Sequence, residues 1–128
     1  MPRYILLSIK PQYAKLIYGG SKRYEFRRRL PKQMDLPILI YESSPVQRIT
    51  GIVPRAYGLT ADRDVLWEKT HAYAGISRET YDAYFGALPV ANAIGTYFAY
   101  LFTDPIELGT HGLPKYPPQS FCYVDADL

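Results

Sequence analysis

The chain has 128 residues, enough for one hydrophobic core, and we expect a single domain over residues 1–128. Hydrophobic residues make up 48% of it and charged residues 21%, which excludes intrinsic disorder of the whole chain. Its apolar runs are far shorter than the roughly 20 residues that cross a bilayer, so we expect a soluble, cytoplasmic protein with no membrane partner. One cysteine, Cys122, and two histidines argue against a disulfide or a metal centre, and no cofactor is expected.

The positive charge is concentrated in the first quarter of the chain. Residues 1–32 contain nine Lys or Arg and one acidic residue, whereas residues 33–128 contain six and eleven. Towards the end of the first segment the basic residues form a cluster: Lys22, Arg23, Arg27, Arg28, Arg29 and Lys32. Such a cluster is typical of a phosphate-binding surface on a nucleic-acid-binding protein. The alternative is a charged edge strand that prevents aggregation.

The first predicted elements are a strand, a helix and a second strand. An apolar run predicts a buried strand over Arg3–Ile9. Pro11 suits the first turn of a short helix that ends at Gly19-Gly20. Tyr24 and Phe26 then alternate with polar residues, which predicts a strand with one buried face.

The rest of the chain predicts strands on either side of a helical insertion. These strands are expected at Ile38–Tyr41, from Gln47 to Val53, at Ala91–Phe102 and at Ser120–Val124. Two short helices are predicted at Asp62–His71 and Ser77–Leu88, with Ser77 as the N-cap. Five or six strands with these helices indicate an α+β fold: a small, partly closed β-barrel with a short helix after strand 1 and an inserted helical pair.

Lys22, Glu25 and Arg27 combine three chemistries that suit a nucleotide. A lysine supplies a mobile positive charge, a carboxylate accepts from an exocyclic amine, and an arginine fork binds a phosphate or a base edge. Because Tyr24 and Phe26 take the buried face, we expect Glu25 on the cleft or solvent side, serving ligand recognition rather than folding. A shared site requires Lys22 to lie in the turn before the strand. The alternative is a solvated strand face with a weak surface ion pair.

Several stretches of the sequence carry a family resemblance. Its centre is the pattern G-x-K-x-x-E-x-R, formed by Gly20, Lys22, Glu25 and Arg27. It extends over residues 7–14, 17–27, 40–45, 84–86 and 117–121. The chain resembles the ASCH domain family, a branch of the PUA-like superfamily. The resemblance implies a five- or six-stranded β-barrel with a cleft, associated with recognition of RNA or a modified nucleotide and, in some branches, with hydrolysis.

Further residues complete the predicted site. We expect Lys10, Tyr13 and Arg28 to contact the ligand as well, with the tyrosine as a stacking surface. Ser44 follows the ASCH pattern, which implies a position near the cleft, whereas Ser43 suits an ordinary turn.

If the cleft is catalytic, the candidates are Lys22, Glu25 and Ser44. Lys22 is the one obvious base for a hydroxyl nucleophile, which Ser43, Ser44 or Thr50 would have to supply. His71 and His111 are expected at the surface. The aromatic residues at helical spacing, Trp67, Tyr81, Tyr84 and Phe85, are expected in the core.

The sequence therefore predicts an RNA-binding or modified-nucleotide-binding module with a basic cleft and a regulatory role. One alternative is a small hydrolase acting on a modified nucleoside or on RNA, and another is a protein-interaction module in transcriptional control. ASCH-like acetylcytidine amidohydrolases resemble the chain around residues 20–27 but have a threonine at the position of Glu25, so we expect no efficient deacetylation of acetylcytidine. A protein partner and the oligomeric state stay open.

Overall fold

Eight strands and three α-helices make up an α+β fold. A computed structural model describes all 128 residues. The strands are β1 (Arg3–Ile9), β2 (Tyr24–Arg27), β3 (Ile38–Glu42), β4 (Arg48–Val53), β5 (Tyr57–Asp62), β6 (Val90–Gly95), β7 (Tyr100–Ile106) and β8 (Phe121–Asp125). The helices are α1 (Pro11–Gly19), α2 (Arg63–Thr70) and α3 (Arg78–Phe85), with a 3₁₀ turn at His71–Tyr73 after α2.

The strands lie in two sheets. The larger sheet has the order β7-β4-β3-β1-β8, and the smaller one has the order β2-β6-β5. β1 and β3 run parallel with Leu7 opposite Ile40, whereas every other pair is antiparallel. Both of these side chains are fully buried, together with Ile5 and Ile38. The core therefore centres on the parallel pair, which a crossover containing α1 must connect.

The helix after β1 has the predicted start and end. Pro11 occupies its first turn, and Ala14 and Ile17 pack with Leu7 in the core. Gly20 follows with a φ of 86°, a left-handed conformation that glycine adopts without steric cost. The predicted strand, short helix and glycine stop are confirmed, and the next residues form the turn before β2.

The strand prediction is wrong in two places. The long strand expected at Ala91–Phe102 is two strands, since β6 ends at Gly95 and β7 begins at Tyr100 in the other sheet. β5 was not predicted because most of its residues are exposed and it lacks a clear apolar alternation. Eight strands in two sheets therefore replace the expected five or six, and closure into a barrel is not confirmed.

The two inserted helices cover the smaller sheet through an aromatic cluster, in which Tyr81 and Phe85 are buried as expected. The ring of Phe26 in β2 meets those of Tyr81 and Phe85 edge to face, with centroids 5.0 and 6.2 Å apart. The Trp67 ring lies 4.8 Å from Tyr81. Ser77 caps the N-terminus of α3 with its side chain. No helix in the structure has both the length and the apolar character that crossing a membrane requires.

The surroundings of Gly51 in β4 leave no room for a side chain. A Cβ at this position would collide with the Tyr100 carbonyl oxygen of β7 and the Tyr18 hydroxyl of α1. We expect Gly51→Ala to lower the free energy of unfolding by about 2–3 kcal/mol, because the paired backbone of β7 cannot give way. Gly19 has open space around it, so Gly19→Ala is the control and should stay within about 1 kcal/mol of the wild type. Urea unfolding measures both, and equal stability of the two variants would contradict this packing.

Candidate functional site

A cavity of about 690 Å³, here called the cleft, opens where β1, β2 and β8 meet α1 and α3. Its volume falls within the range of small-molecule sites in proteins. The structure brings six of the seven predicted ligand residues to its wall: Lys10, Tyr13, Lys22, Glu25, Arg27 and Arg28. Ser44 is the exception.

The turn before β2 and the alternation of side chains along β2 place Lys22, Glu25 and Arg27 in the wall of the cleft. Lys22 lies in the turn, as a shared site requires, with its backbone N–H donating to the Leu16 carbonyl at 3.1 Å. Along β2, Phe26 belongs to the aromatic cluster under α2 and α3, while Glu25 and Arg27 share the other face. The predicted alternation of β2 is therefore present.

Glu25 lies on the cleft side of β2, as expected, but it is buried rather than exposed to solvent. Its side chain is 10% exposed and lies between two cations. Oε2 accepts from Arg27 at 2.7 Å, and Oε1 is 3.7 Å from the Lys22 Nζ. On this face of β2 the Arg27 side chain reaches Ser8 and Ser120 and encloses the carboxylate. Removal of one partner from a buried ion pair leaves a charge uncompensated, so Glu25 matters to the stability of the fold.

Arg27 holds this arrangement to the larger sheet. Its Nε and NH2 donate to Glu25, NH2 also donates to the Ser8 carbonyl at 2.7 Å, and NH1 donates to the Ser120 Oγ at 3.0 Å and carbonyl at 3.4 Å. These acceptors use all the N–H donors of a guanidinium. The fork expected to bind phosphate is therefore engaged within the protein, and Arg27 positions the wall of the cleft.

Lys22 is the most unusual ionisable group of the cleft. It is 1% exposed, its Nζ donates to the Ala74 carbonyl at 2.6 Å, and it lies over the rings of Tyr13 and Phe26 at 5.3 and 5.2 Å. Burial lowers the pKa of Lys22 below its ordinary value, and the nearby Glu25 carboxylate partly counteracts that effect. The result is an amine that gives up its proton more readily than a surface lysine.

The cations at the rim of the cleft have free donors. Lys10 and Arg29 are exposed, and neither donates a side-chain hydrogen bond within the protein. Arg28 donates from Nε to the Tyr84 carbonyl at 3.0 Å and lies 4.5 Å from the Tyr84 ring, leaving its two terminal nitrogens without protein acceptors. Arg29 lies 5.5 Å from the Phe121 ring. The sequence did not indicate that the rings of Tyr84 and Phe121 line the cleft. The helical spacing of Tyr84 predicted a core position instead.

Three serines line the cleft, and the predicted Ser44 is not among them. Ser44 is exposed in the turn after β3 and does not reach the wall, whereas its neighbour Ser43 does. The Ser43 amide donates to the Ile9 carbonyl at 3.0 Å, which turns Ser43 rather than Ser44 towards the site. Ser8 and Ser120 also line the cleft. Both lie within the stretches that resemble the ASCH family, the one sequence signal that could have found them.

The remaining candidate nucleophile and the histidines lie elsewhere. The Thr50 hydroxyl is 2.7 Å from that of Tyr18, where burial raises the pKa of the tyrosine to about 12. His71 and His111 are both exposed, as predicted. No group of three or more His, Cys, Asp or Glu side chains is arranged to hold a metal ion.

Comparisons with known proteins point to one family. No family model matches the chain. It is 33% identical over 89 residues to an ASCH domain-containing ribonuclease of Zymomonas mobilis, a match that covers 69% of this chain and 60% of that protein. It is also 26% identical over 121 residues to the large ribosomal subunit protein uL22 of Ureaplasma parvum, covering 94% of this chain and 39% of that one. The chain thus spans less than two thirds of the curated relatives it matches.

Solved structures agree with the sequence match. The crystal structure of ASCH from Zymomonas mobilis superposes with a TM-score of 0.82 at 28% identity, covering 95% of this chain and 87% of that one. A tyrosine-to-phenylalanine variant of the same protein gives a TM-score of 0.81 at 26% identity, with 95% and 90% covered. The chain belongs to the ASCH domain family, as its central motif indicated.

The burial of Glu25 predicts a large effect of removing its charge. We expect Glu25→Gln to lower the free energy of unfolding by about 3 kcal/mol, because two buried cations lose their shared counterion. Glu107 pairs with Arg48 at 2.8 Å on the surface, so Glu107→Gln is the matched control and should cost less than about 1 kcal/mol. Denaturant unfolding at neutral pH compares the two variants, and equal losses would contradict the proposed importance of the buried pair.

The free energy of unfolding of the same variant should depend on pH in a defined direction. Without the carboxylate the pKa of Lys22 falls further, so the unfolded chain binds that proton more tightly than the native one. The free energy of unfolding of Glu25→Gln should then rise with pH up to the ordinary lysine pKa, about 10.4. Its deficit relative to the wild type should be smaller at pH 10 than at pH 7.

Proposed function

We propose that the cleft binds RNA, with a nucleotide seated against Tyr13 and the backbone held by the cations of the rim. The observation that carries this proposal is the division among the basic residues of the cleft. Lys22 and Arg27 are engaged by Glu25 and backbone carbonyls, whereas Lys10, Arg28 and Arg29 keep donors free for phosphate.

The aromatic residues of the cleft support a nucleotide rather than a bare anion. The Tyr13 ring lies beside Lys22, and Tyr84 and Phe121 lie beneath the guanidinium groups of Arg28 and Arg29. Alternating rings and cations are the means by which proteins hold unpaired bases and their phosphates. The name of the Zymomonas mobilis relative, an ASCH domain-containing ribonuclease, points to the same class of ligand. A free modified nucleotide, which also combines a base with a phosphate, is the alternative ligand for this cleft.

Binding should depend on salt through the rim. We expect the affinity for a single-stranded RNA to fall steeply as salt rises, with a log–log slope of about −0.7 for each phosphate neutralised. Arg28→Ala should weaken binding and make that slope shallower by one such contact. A probe with 2′-O-methyl groups keeps the RNA intact during the titration.

Arg55 provides the matched control, since it is exposed, lies between β4 and β5, and does not line the cleft. Arg55→Ala should change affinity less than Arg28→Ala at every salt concentration. An affinity that is independent of salt, or that responds equally to both variants, would refute RNA binding by this cleft.

The environment of Lys22 favours a second candidate function, cleavage of the bound RNA. In its neutral form the Lys22 amine accepts the proton of a ribose 2′-hydroxyl, whose oxygen attacks the adjacent phosphorus. The bond from phosphorus to the 5′-oxygen breaks, and the lysine ammonium returns the proton to that oxygen. The products are a 2′,3′-cyclic phosphate and a 5′-hydroxyl, with no net change in protons. The lowered pKa of Lys22 suits both halves of this exchange.

Cleavage can be separated from binding at this residue. We expect Lys22→Met to abolish cleavage of an unmodified RNA while the rim keeps its affinity within a few fold, with a thermal melt as the test of folding. In Glu25→Gln the alkaline rise of the cleavage rate should move to lower pH, because the carboxylate no longer supports protonation of Lys22. Acetylcytidine in a parallel reaction should not be deacetylated. Full cleavage by Lys22→Met would exclude the amine as the base.

A further inference from the structure

A row of exposed aromatic side chains lies outside the cleft, at the connection between β6 and β7. Tyr97 is 42% exposed and Phe98 63% exposed, and Tyr100 and Leu101 follow at the start of β7. Phe98 contributes to none of the three hydrophobic core clusters. A run of this size at the surface marks a binding region more often than a folding requirement.

An arginine joins this connection to the helical insertion. The Arg23 guanidinium carbon lies 3.8 Å from the centre of the Tyr73 ring and 4.0 Å from that of Tyr97. The Tyr97 and Phe98 rings are 4.1 Å apart with a tilt of 34°. Tyr73, Arg23, Tyr97 and Phe98 thus form a continuous stack, here called the aromatic ladder.

The backbone fixes the ladder in place. The Thr96 amide donates to the Arg23 carbonyl at 2.9 Å, and the Arg23 amide donates to the Tyr73 carbonyl at 2.8 Å. Phe98 has a φ of 62°, a left-handed conformation that is costly for a bulky side chain. Backbone strain of this kind clusters at sites of ligand contact.

Two pairs of consecutive residues connect the ladder to the cleft: residues 22 and 23, and residues 73 and 74. In the turn before β2, Lys22 points into the cleft and Arg23 into the ladder. After α2, the Ala74 carbonyl accepts from Lys22, and the Tyr73 carbonyl accepts from Arg23. The cleft and the ladder therefore share a rigid backbone support, formed where residues 22–23 meet residues 73–74.

We propose that the aromatic ladder is a stacking surface for a single-stranded segment of the RNA whose reacting or recognised nucleotide occupies the cleft. This inference rests on the proposed function. Every base has a face that can stack on tyrosine or phenylalanine, and an arginine within the stack adds attraction for both base and phosphate. A purely apolar protein partner would leave the Arg23 charge facing an apolar surface, at a cost that RNA avoids.

Probes of different length test the ladder. Adenosine monophosphate reports the cleft alone, whereas a 2′-O-methyl oligoadenylate of about twelve nucleotides is long enough to reach both surfaces and resists cleavage. We expect Phe98→Ala and Tyr97→Ala each to weaken oligoadenylate binding roughly tenfold, as for the loss of one stacking surface. Both variants should bind the monophosphate as the wild type does, and Phe98→Trp should restore the oligoadenylate affinity.

Tyr116 supplies the matched control, since it is 80% exposed and belongs to neither surface. Tyr116→Ala should leave both affinities unchanged. Wild-type binding of the oligoadenylate by Phe98→Ala, or an equal loss for both probes, would overturn the ladder. Self-association of the wild type that disappears in Phe98→Ala would also overturn it, by identifying a second copy as the occupant.

Failure of the cleft proposal gives a different result. If RNA does not bind in the cleft, Arg28→Ala leaves the affinities for the monophosphate and the oligoadenylate unchanged, whatever Phe98→Ala does. If only the ladder is wrong, Arg28→Ala weakens both while Phe98→Ala weakens neither.

Discussion

The Glu25 carboxylate, shared between Lys22 and Arg27, is the interaction on which the arrangement of this chain depends. Through Arg27 it ties β2 of the smaller sheet to Ser8 in β1 and to Ser120 beside β8, and through Lys22 it reaches Ala74 in the helical insertion. One buried anion therefore links two sheets and a helical unit at one polar junction, in addition to the apolar contact of Ile94 in β6 with the core of the larger sheet. The cleft is the space left around this junction, and its shape follows from the charges that hold its walls.

The pairing of Glu25 with Lys22 and Arg27 reduces the number of basic residues that a ligand can contact. Nine Lys or Arg in the first 32 residues suggest a strongly attractive surface, yet Lys22 and Arg27 act inside the protein and Arg23 lies between tyrosine rings. The charges that a ligand in the cleft can meet belong to the rim. A count of charges therefore overstates the field outside the molecule, because buried pairs contribute little to it.

Local sequence signals predicted the parts of the fold that local physics controls. Pro11 and Gly20 set the limits of α1, and the alternation in β2 gave the correct faces for Glu25 and Phe26. Sequence could not show that Arg27 would bond to Ser8 and Ser120 and enclose Glu25, because those acceptors are far away in the chain. The choice of Ser44 over Ser43 followed the family pattern, which does not fix the orientation of a turn, and the sequence did not indicate that β6 and β7 enter different sheets. A pattern gives the direction of a side chain but not what packs against it.

The bond from Arg27 to Ser120 spans 93 positions of the chain. During synthesis the cluster around Glu25 cannot close until β8 has left the ribosome, although most of the cleft is encoded in the first quarter of the chain. Until then the N-terminal segment holds a guanidinium without its full set of acceptors. Contacts this distant in sequence form late and slowly. A nascent chain therefore contains its basic residues well before it has a cleft. The cleft is complete only when the last strand is in place.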